Sequence, residues 1–420
     1  MKRSVVIVVL APFPEGGAPS SRVRALALAL AENGTDTLVL AVGDGSGMET
    51  GSLEDSRGAR VDFVVFGRGR YVAREDGSLR WRARLLANAA ARRVYGHPNR
   101  AGVRMLLRRV DEMGRTGDID TILLYNQEVS IARSLLGICN ERGLRFFQQF
   151  SERHIHADYR LGRLELMYVR ERLHFYFVPR KCDGAIVISR SLEKLVRQAG
   201  CQRILRIPSI MSPEQTDFAD GVRAIERLHQ SEKTLFTYVG RGDRRDALDY
   251  VIREFAASDV LVERARLRLI GLTAPSVRAA SAQIQSLGIE VDIEVRGWLA
   301  PKDMTSCLGE SNCFVLARTD DISARSCFPT RVPELLLTGK PLIVSAVGDI
   351  ADYLTHRESA LLLRDGCPGR LGEEMEWVVR NQAGAQKIGR AGLDAAERIF
   401  SRQAHGARLA RFLRASSALE

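Results

Sequence analysis

The sequence has no run of about 20 consecutive apolar residues, the length that a membrane-spanning helix requires. It has no Cys-x-x-Cys pair either, and its seven cysteines are scattered singly along the chain. This usage argues against a zinc site or a disulfide framework and favours a reducing compartment. The basic start is followed by only about seven apolar residues before Pro12, too few for a secretory signal and typical of a first buried strand. We therefore expect a cytoplasmic protein.

Acidic residues are fewer than basic ones: 51 Asp and Glu face 62 Lys and Arg, which gives a net charge of +11. Such an excess attracts nucleic acid, an acidic membrane surface or phosphorylated substrates, or else reflects an arginine-rich background composition. Aromatic residues make up 6% of the chain and no nucleic-acid-binding motif is present, so nucleic acid is not the expected partner. The segment Arg80–Arg109 holds nine arginines and no acid. It predicts either a helix lying on an anionic membrane surface or a solvated helix face.

The 420 residues are too many for one typical core and suggest two domains. Strand-like runs such as "SVVIVVLAP" and "DTLVLAVG" alternate with helical stretches, and these runs are apolar throughout. Parallel strands that are buried on both faces have this pattern. The alternation restarts at "KTLFTYVG" after a polar join around residues 208–232. Two open α/β sheets facing a cleft are expected, with ligands bound beyond the carboxyl ends of their strands.

The stretch "FPTRVPELLLTG" predicts a short helix that starts at a ligand. Pro333 belongs in a first turn, and Thr330 can cap the helix. The N–H groups of Arg331 and Val332 are then expected to point outward and to bind a phosphate. Glu334 lies on the same face, where its carboxylate can accept hydrogen bonds from a sugar diol. The alternative is an ordinary strand-to-helix turn with a surface glutamate.

A second candidate is "TYVGRGDRRDALDYVI". A strand is predicted to end at Gly240, and Arg241, Arg244 and Arg245 follow before the next helix. Guanidinium groups in that position can clamp a diphosphate through paired hydrogen bonds. The alternative is a solvated arginine loop.

The first half of the chain holds two further candidates. Gly16 and Gly17 follow the first strand and allow a ligand to approach the backbone, although the dinucleotide fingerprint G-x-G-x-x-G is absent, and a simple turn is the alternative. Glu152 and His154 follow the strand "RFFQQF", where they can orient or deprotonate an acceptor hydroxyl, or else form an ordinary polar loop. The spacing of His154 and His156 is poor for a metal site.

Five segments in order along the chain resemble glycosyltransferases of family 4, retaining enzymes of the GT-B fold that use nucleotide-sugar donors. They are "GGAPSSRVRALALALAENG", "CDGAIVISRSLEKLVRQAG" with "ILRIPS", "YVGRGDRRDAL", "VRGWLAPKDMTSCLGESNCFVLAR" and "FPTRVPELLLTGKPLIVSAVGDIADYL". The last is the most specific, because it resembles the donor-binding block with two glutamates eight positions apart. The resemblance implies two Rossmann-like parallel-sheet domains. An acceptor domain would span 1–208, joined by a C-terminal helix at about 402–420 that crosses back to it, and a donor domain would span 209–401.

The same resemblance implies roles for individual residues. Glu334 would bind the donor ribose, and Arg241 and Arg245 would neutralise the diphosphate without a metal or cofactor. Ser326 stands where the family has the first glutamate of its block. The catalytic set is then Glu152, His154, Arg241 and Arg245. The donor-binding set is Gly16, Gly17, Gly240, Arg241, Arg244, Arg245, Gly271, Gly297, Trp298, Ser326, Phe328, Thr330, Arg331 and Glu334.

The expected activity is transfer of a sugar, with retention, from a UDP- or GDP-linked donor to a hydroxyl acceptor. The acceptor would be a saccharide, a lipid-linked molecule or a small molecule, in the biosynthesis of cell-surface polysaccharide, glycolipid or glycoconjugate. Because Ser326 replaces a glutamate, a catalytically inactive nucleotide-sugar-binding protein is one alternative, and an epimerase of the same fold is another. A cytoplasmic protein, peripheral on the inner face of the membrane, is the expected location.

Overall fold

The chain divides into two compact units in the computed structural model. One comprises Met1–Ser212 with Arg402–Glu420, and the other comprises Pro213–Ser401. The sequence placed the first division four residues earlier, between 208 and 209. The structure describes residues 3–15, 17–43, 47–55, 57–67, 99–159, 161–211, 218–223, 233–364 and 370–415.

The first unit is built on an eight-stranded sheet with the order β3-β4-β2-β1-β5-β6-β7-β8. Its strands are β1 Arg3–Val9, β2 Thr37–Val42, β3 Met48–Glu54, β4 Arg60–Phe66, β5 Ile119–Leu124, β6 Arg145–Phe150, β7 Gly184–Val187 and β8 Ile204–Arg206. Neighbouring strands run parallel except for β3, which pairs antiparallel with β4. Strand β3 was not predicted, because "METGSLE" is an exposed edge strand without the apolar run that marks its neighbours.

The described helices of the first unit lie between these strands along the chain, except for the last one, which comes from the end of the chain. They are α1 Ala18–Glu32, α2 Arg100–Arg115, α3 Val129–Arg142, α4 Leu166–Phe177, α5 Arg190–Gln198 and, from the end of the chain, α15 Arg402–Arg414. Short 3₁₀ turns lie at His156–Asp158 and Gly162–Leu164. Of the segment Arg80–Arg109, residues 80–98 lie outside the described residues, and the described remainder begins α2.

The second unit holds a six-stranded, fully parallel sheet with the order β11-β10-β9-β12-β13-β14. Its strands are β9 Thr234–Val239, β10 Ala265–Ile270, β11 Ile293–Val295, β12 Cys313–Leu316, β13 Leu342–Ser345 and β14 Leu361–Leu363. Its helices are α6 Leu248–Ala256, α7 Asp259–Arg264, α8 Ala274–Ser286, α9 Pro301–Gly309, α10 Ile322–Ser326, α11 Arg331–Leu336, α12 Ile350–Tyr353, α13 Leu371–Arg380 and α14 Gln382–Phe400. The predicted α/β class with two parallel sheets is confirmed.

The last helix, α15, packs on α1 of the first unit. Gly406 lets the two helices approach closely, since a Cβ there would lie 2.8 Å from the carbonyl oxygen of Ala29. Arg402 lies at the start of α15 and reaches both Glu32 and Asp55, with 2.7 Å between its Nη2 and an oxygen of each. Among the helices that the structure describes, none has the length and apolar content needed to cross a membrane.

We expect Arg402→Met to weaken the docking of α15. Its side chain is largely buried between Glu32 and Asp55, and removing one partner of a buried ion pair leaves the other charges uncompensated at a cost of about 3 kcal/mol. Urea denaturation should show that loss relative to the unmodified chain. Arg411→Met on the exposed face of the same helix is the control and should change stability by less than about 0.5 kcal/mol. Equal stability of the two variants would contradict this assignment.

Candidate functional sites

Three predicted donor residues, Gly240, Gly271 and Gly297, meet at the carboxyl edge of the second sheet. They follow β9, β10 and β11 in turn. The Gly240 N–H donates to the carbonyl of Ile270, and the Gly271 N–H donates to the carbonyl of Gly297, both at 3.1 Å. Gly271 has a φ of +79°, and a Cβ built on it would lie 3.3 Å from the Gly240 oxygen. The absence of side chains therefore lets these backbone segments lie side by side.

The loop after β9 presents its three arginines differently. Arg244 forms an ion pair with Asp321, at 2.8 Å. The backbone of Arg245 is fixed, because its carbonyl accepts a 3.0 Å hydrogen bond from the N–H of Thr319. The Arg241 carbonyl accepts from the N–H of Thr273, and its side chain is exposed. Within the described part of the chain, the Arg241 guanidinium makes no ion pair, so this cation is available to an anionic ligand.

Asp246 stabilises the backbone of the loop that carries Arg241, Arg244 and Arg245. Its carboxylate accepts a 3.1 Å hydrogen bond from the N–H of Gly242. Burial, with the nearby charge of Asp243, raises the pKa of the Asp246 carboxyl above its usual range. Burial also raises the pKa of the Tyr238 hydroxyl, which lies beside Asp246. A half-buried carboxyl that accepts a hydrogen bond from the loop backbone is a structural support for the loop that carries the arginines.

Glu334, the predicted ribose ligand, lies in the first turn of α11. Both of its oxygens accept from Nη1 of Arg331 at 2.9 Å. Two details predicted for this helix are wrong. Thr330 already has helical backbone angles, so its side chain makes no capping bond. The N–H of Val332 donates to the carbonyl of Pro329 at 3.0 Å, so it is not open to a ligand.

Three other predicted donor residues of the second unit differ in exposure. Ser326 is fully buried, and its hydroxyl donates to the carbonyl of Ile322 at 2.6 Å. Phe328 packs between Tyr353 and Phe400, with ring centroids 5.7 and 5.4 Å away. A ligand can therefore meet these two residues through their backbone only. Trp298 is 74% exposed and offers a free aromatic face.

In the first unit, Gln127 connects the loops that follow β5 and β6. Its side-chain oxygen accepts from the N–H groups of Ser151 and Glu152 at 2.9 and 3.1 Å. Its amide nitrogen donates to the Glu152 carbonyl at 2.8 Å. This three-bond contact fixes the backbone of Glu152, a predicted catalytic residue. Gly17 precedes α1 and is exposed, whereas Gly16 lies outside the described residues.

His154 lies between two carboxylates. Its Nε2 is 3.5 Å from Glu152, and its Nδ1 is 3.5 Å from Glu171. Glu171, on α4, also accepts a 2.9 Å bond from the His154 N–H and a 2.9 Å bond from the hydroxyl of Tyr159. Arg172 donates to the His154 carbonyl at 3.1 Å. The structure therefore brings the predicted Glu152 and His154 together and adds partners that the sequence analysis missed.

Protonation at neutral pH follows from these contacts. Burial acts to raise the pKa of Glu171, but hydrogen bonds and charge from His154, together with the charge of Arg172, hold that pKa below its usual value. Burial and the Glu171 charge raise the pKa of Tyr159. Glu171 is therefore an anion that positions a neutral Tyr159 and the His154 ring. The sequence contained one sign that Glu171 has a specific role: it is one of only two carboxylates between residues 161 and 181.

A metal centre has no support in the described ranges, where no group of three or more His, Cys, Asp or Glu side chains is arranged to hold an ion. The candidate residues at the two carboxyl edges instead include cations, carboxylates and His154. Such groups can bind an anionic ligand and move a proton.

Residues 224–394 match the profile of the family described as Glycosyl transferases group 1. This range contains every predicted donor residue of the second unit. No curated protein matches the chain in sequence.

Several solved structures share the fold over nearly the whole chain. Sucrose-phosphate synthase from Thermosynechococcus elongatus has a TM-score of 0.68 at 15% identity and covers 98% of each chain. HepE of Anabaena, solved with UDP and glucose, has a TM-score of 0.65 at 14% identity and covers 100% of each chain. A glycosyltransferase from Rickettsia africae has a TM-score of 0.65 at 11% identity and covers 99% of this chain and 100% of its own. The chain therefore has the GT-B fold that the resemblance implied.

We expect Glu171→Gln to lower stability by about 2 kcal/mol at neutral pH, because the His154 N–H and Tyr159 hydroxyl lose a charged acceptor. A carboxyl whose pKa is lower in the folded state than in the unfolded chain stabilises the fold when the pH is above its unfolded pKa. That contribution is lost as the pH falls through its folded pKa. The difference should therefore shrink between neutral pH and about pH 3. Urea denaturation at both pH values measures it. Glu141→Gln, at an exposed carboxylate, should show no such pH dependence, and a pH-independent loss for Glu171→Gln would contradict the ionised assignment.

Proposed function

We propose that this GT-B-fold protein, whose residues 224–394 match the group 1 glycosyl transferases, moves a sugar from a nucleotide-sugar donor to a hydroxyl acceptor. The observation that carries the proposal is the position of this match. It contains the three strand-end glycines, the arginine loop after β9 and Glu334, which are the residues expected to hold the donor. The proposal includes retention of the anomeric configuration and chemistry without a metal or cofactor.

The donor diphosphate would bind at the carboxyl edge of the second sheet. When the bond between the sugar carbon and the diphosphate oxygen breaks, negative charge grows on the leaving group. Arg241 has an exposed guanidinium, and Gly271 places no side chain of its own at the neighbouring strand end. Cations fixed in advance stabilise such charge without reorganisation. Arg245 is proposed to act with Arg241, whereas Arg244 is held by Asp321.

Glu334 would accept hydrogen bonds from the hydroxyl groups of the donor ribose. Arg331 already donates to both of its oxygens at 2.9 Å, which fixes the direction of the carboxylate. Each oxygen retains capacity for a second hydrogen bond. Two solved structures of the similar Anabaena protein contain UDP and UDP-glucose. A uridine diphosphate sugar is therefore the first donor to test, and a GDP-linked donor is the second.

On the first unit, the acceptor hydroxyl would lose its proton to the His154 ring or to Glu152 as it attacks the sugar carbon. The two carboxylates around His154 support this role, because they fix the ring and favour its positively charged form after proton transfer. Glu171 is a positioning residue in this scheme, since it contacts His154 and Tyr159. The acceptor class and the biosynthetic route, to a surface polysaccharide, a glycolipid or another glycoconjugate, are part of the proposal.

A second candidate function is binding of a nucleotide sugar without transfer. It is favoured by one observation, Ser326, a buried hydroxyl at the position where the family has a carboxylate that contacts the donor sugar. Donor binding without release of nucleoside diphosphate, across a panel of acceptors, would favour this candidate. Release of free sugar from the donor alone would favour an epimerase of the same fold.

We expect Glu334→Ala and Arg241→Ala each to weaken binding of UDP or GDP at least about tenfold, the equivalent of about 1.4 kcal/mol. The first variant removes the ribose acceptor, and the second removes the exposed cation. Isothermal titration calorimetry measures the dissociation constants. Arg253→Ala on α6, an exposed arginine of the same unit, is the control and should bind like the unmodified protein. Unchanged affinity in both test variants would remove these residues from the donor site.

We also expect EDTA to leave transfer from the nucleotide sugar unchanged. In the proposed mechanism guanidinium groups stabilise the leaving diphosphate, so no divalent ion is needed for that charge. The measurement is the rate of nucleoside diphosphate release with acceptor, before and after dialysis against chelator. A rate that falls on chelation and returns with added Mg²⁺ or Mn²⁺ would exclude the arginine-only mechanism while leaving transfer itself intact.

A further inference from the structure

Exposed apolar side chains are concentrated in one short part of the first unit. Among the described residues, twelve large hydrophobic side chains are exposed, and seven of them lie between residues 161 and 177. Leu164 is the most exposed of all, at 87%. Single exposed apolar residues are normal on a protein surface, but a contiguous group of them marks an interaction site. The donor and acceptor residues described above do not account for this group.

The concentration arises because helix α4 has its apolar stripe on the outside. Leu166, Val169, Leu173 and Tyr176 follow one another at steps of three and four residues and are all exposed, so they form one stripe along the helix. Phe177 is exposed beside Tyr176. The opposite face packs inward and carries the buried Glu171, His174 and Phe175. A surface helix that covers only its own core has the reverse arrangement.

The exposed charges within residues 161–181 are all positive. Every residue between 161 and 181 that is exposed has either an apolar side chain or a cationic one, and the cations are Arg163, Arg180 and Lys181. The two carboxylates of the segment, Glu165 and Glu171, are buried. Arg163 precedes the helix and the other two cations follow it, so both ends of the stripe are basic. The Arg180 guanidinium lies 4.2 Å from the ring centroid of Tyr176, which joins a cation to the apolar surface.

We propose that the surface formed by residues 161–181, the α4 surface, docks on an anionic lipid bilayer. Leucine, valine, tyrosine and phenylalanine side chains bury in the boundary between headgroups and acyl chains, and flanking cations meet the lipid phosphates. A second copy of this chain fits the surface less well. A two-fold pairing of the stripe brings cationic ends together whether the helices run parallel or antiparallel, and like charges repel. This inference does not depend on glycosyl transfer.

The same helix connects the membrane face to the acceptor candidates. Its inner side carries Glu171, which holds His154 and Tyr159, and a helix with its side chains is about 10 Å across. A hydroxyl group carried on a lipid headgroup would therefore be delivered close to His154. This extension, which names a lipid-linked acceptor, rests on the proposed function, whereas docking on the bilayer does not.

Sedimentation of the full chain with lipid vesicles tests the proposal. We expect the protein to sediment with vesicles that contain about one third phosphatidylglycerol and to remain in solution with phosphatidylcholine alone. The double variant Leu164→Ser with Leu173→Ser should bind at least about tenfold more weakly. Arg163→Glu with Lys181→Glu should also lose binding, because it places negative charge at both ends. Ile289→Ser, an exposed apolar residue of the second unit, is the matched control and should bind like the unmodified protein.

A fluorescence measurement complements these losses of vesicle binding, because it reports binding directly. Tyr176→Trp places an indole on the α4 surface, and its emission should shift to shorter wavelength when anionic vesicles are added. Failure of the unmodified protein to sediment, or equal sedimentation of the serine double variant, would overturn the proposal. So would a concentration-dependent dimer in light scattering that the serine double variant abolishes, since the occupant would then be a second copy. The affinity of every variant for UDP or GDP should stay unchanged. A loss of vesicle binding at unchanged nucleotide affinity would therefore concern the α4 surface and not the proposed donor site.

Discussion

Hydrogen bonding between parallel strands that are buried on both faces is the constraint on which the rest of this structure depends. All six residues of β2 and all six of β9 are buried, so these two strands hold no group that a ligand can reach. Each parallel strand must return through a helix, which brings the carboxyl ends of neighbouring strands to one edge. Gly240, Gly271 and Gly297 meet at such an edge in one unit, and Gln127 and Glu152 do so in the other.

Polar groups near these edges hold the ligand-binding candidates in place. Asp246 bonds the backbone of the arginine loop, Arg331 holds Glu334, and Glu171 holds His154. Each supporting contact is a carboxylate with a charged or backbone donor, the type of hydrogen bond that is strongest in a partly buried setting. In each pair the member with ligand-binding potential is fixed before a ligand arrives, which reduces the entropy that binding must offset.

Helix α4 shows how one element can serve two surfaces. Its sequence, "LMYVRERLHFYF", has apolar residues on every side, so periodicity alone does not say which side faces the core. In the structure the side with Glu171, His174 and Phe175 faces inward, and the leucine and tyrosine side is left outside. A buried carboxylate with several donors is satisfied there, whereas apolar groups exposed to water retain an unfavourable free energy until a partner covers them.

The sequence by itself determined the α/β class with its parallel strands, because long apolar runs and Gly and Pro positions act locally, and the resemblance of five segments to a known family implied the GT-B fold. Gly339, shortly after α11, has a φ of +76°, a left-handed backbone angle that glycine adopts without a steric cost. Only the tertiary structure decided which partners the polar residues find. Glu171 meets His154 from 17 positions away, Ser326 turns inward, Val332 bonds Pro329, and the outer face of α4 stays uncovered. These outcomes depend on packing between segments distant in the chain, and the periodicity of each segment carries no information about its neighbours.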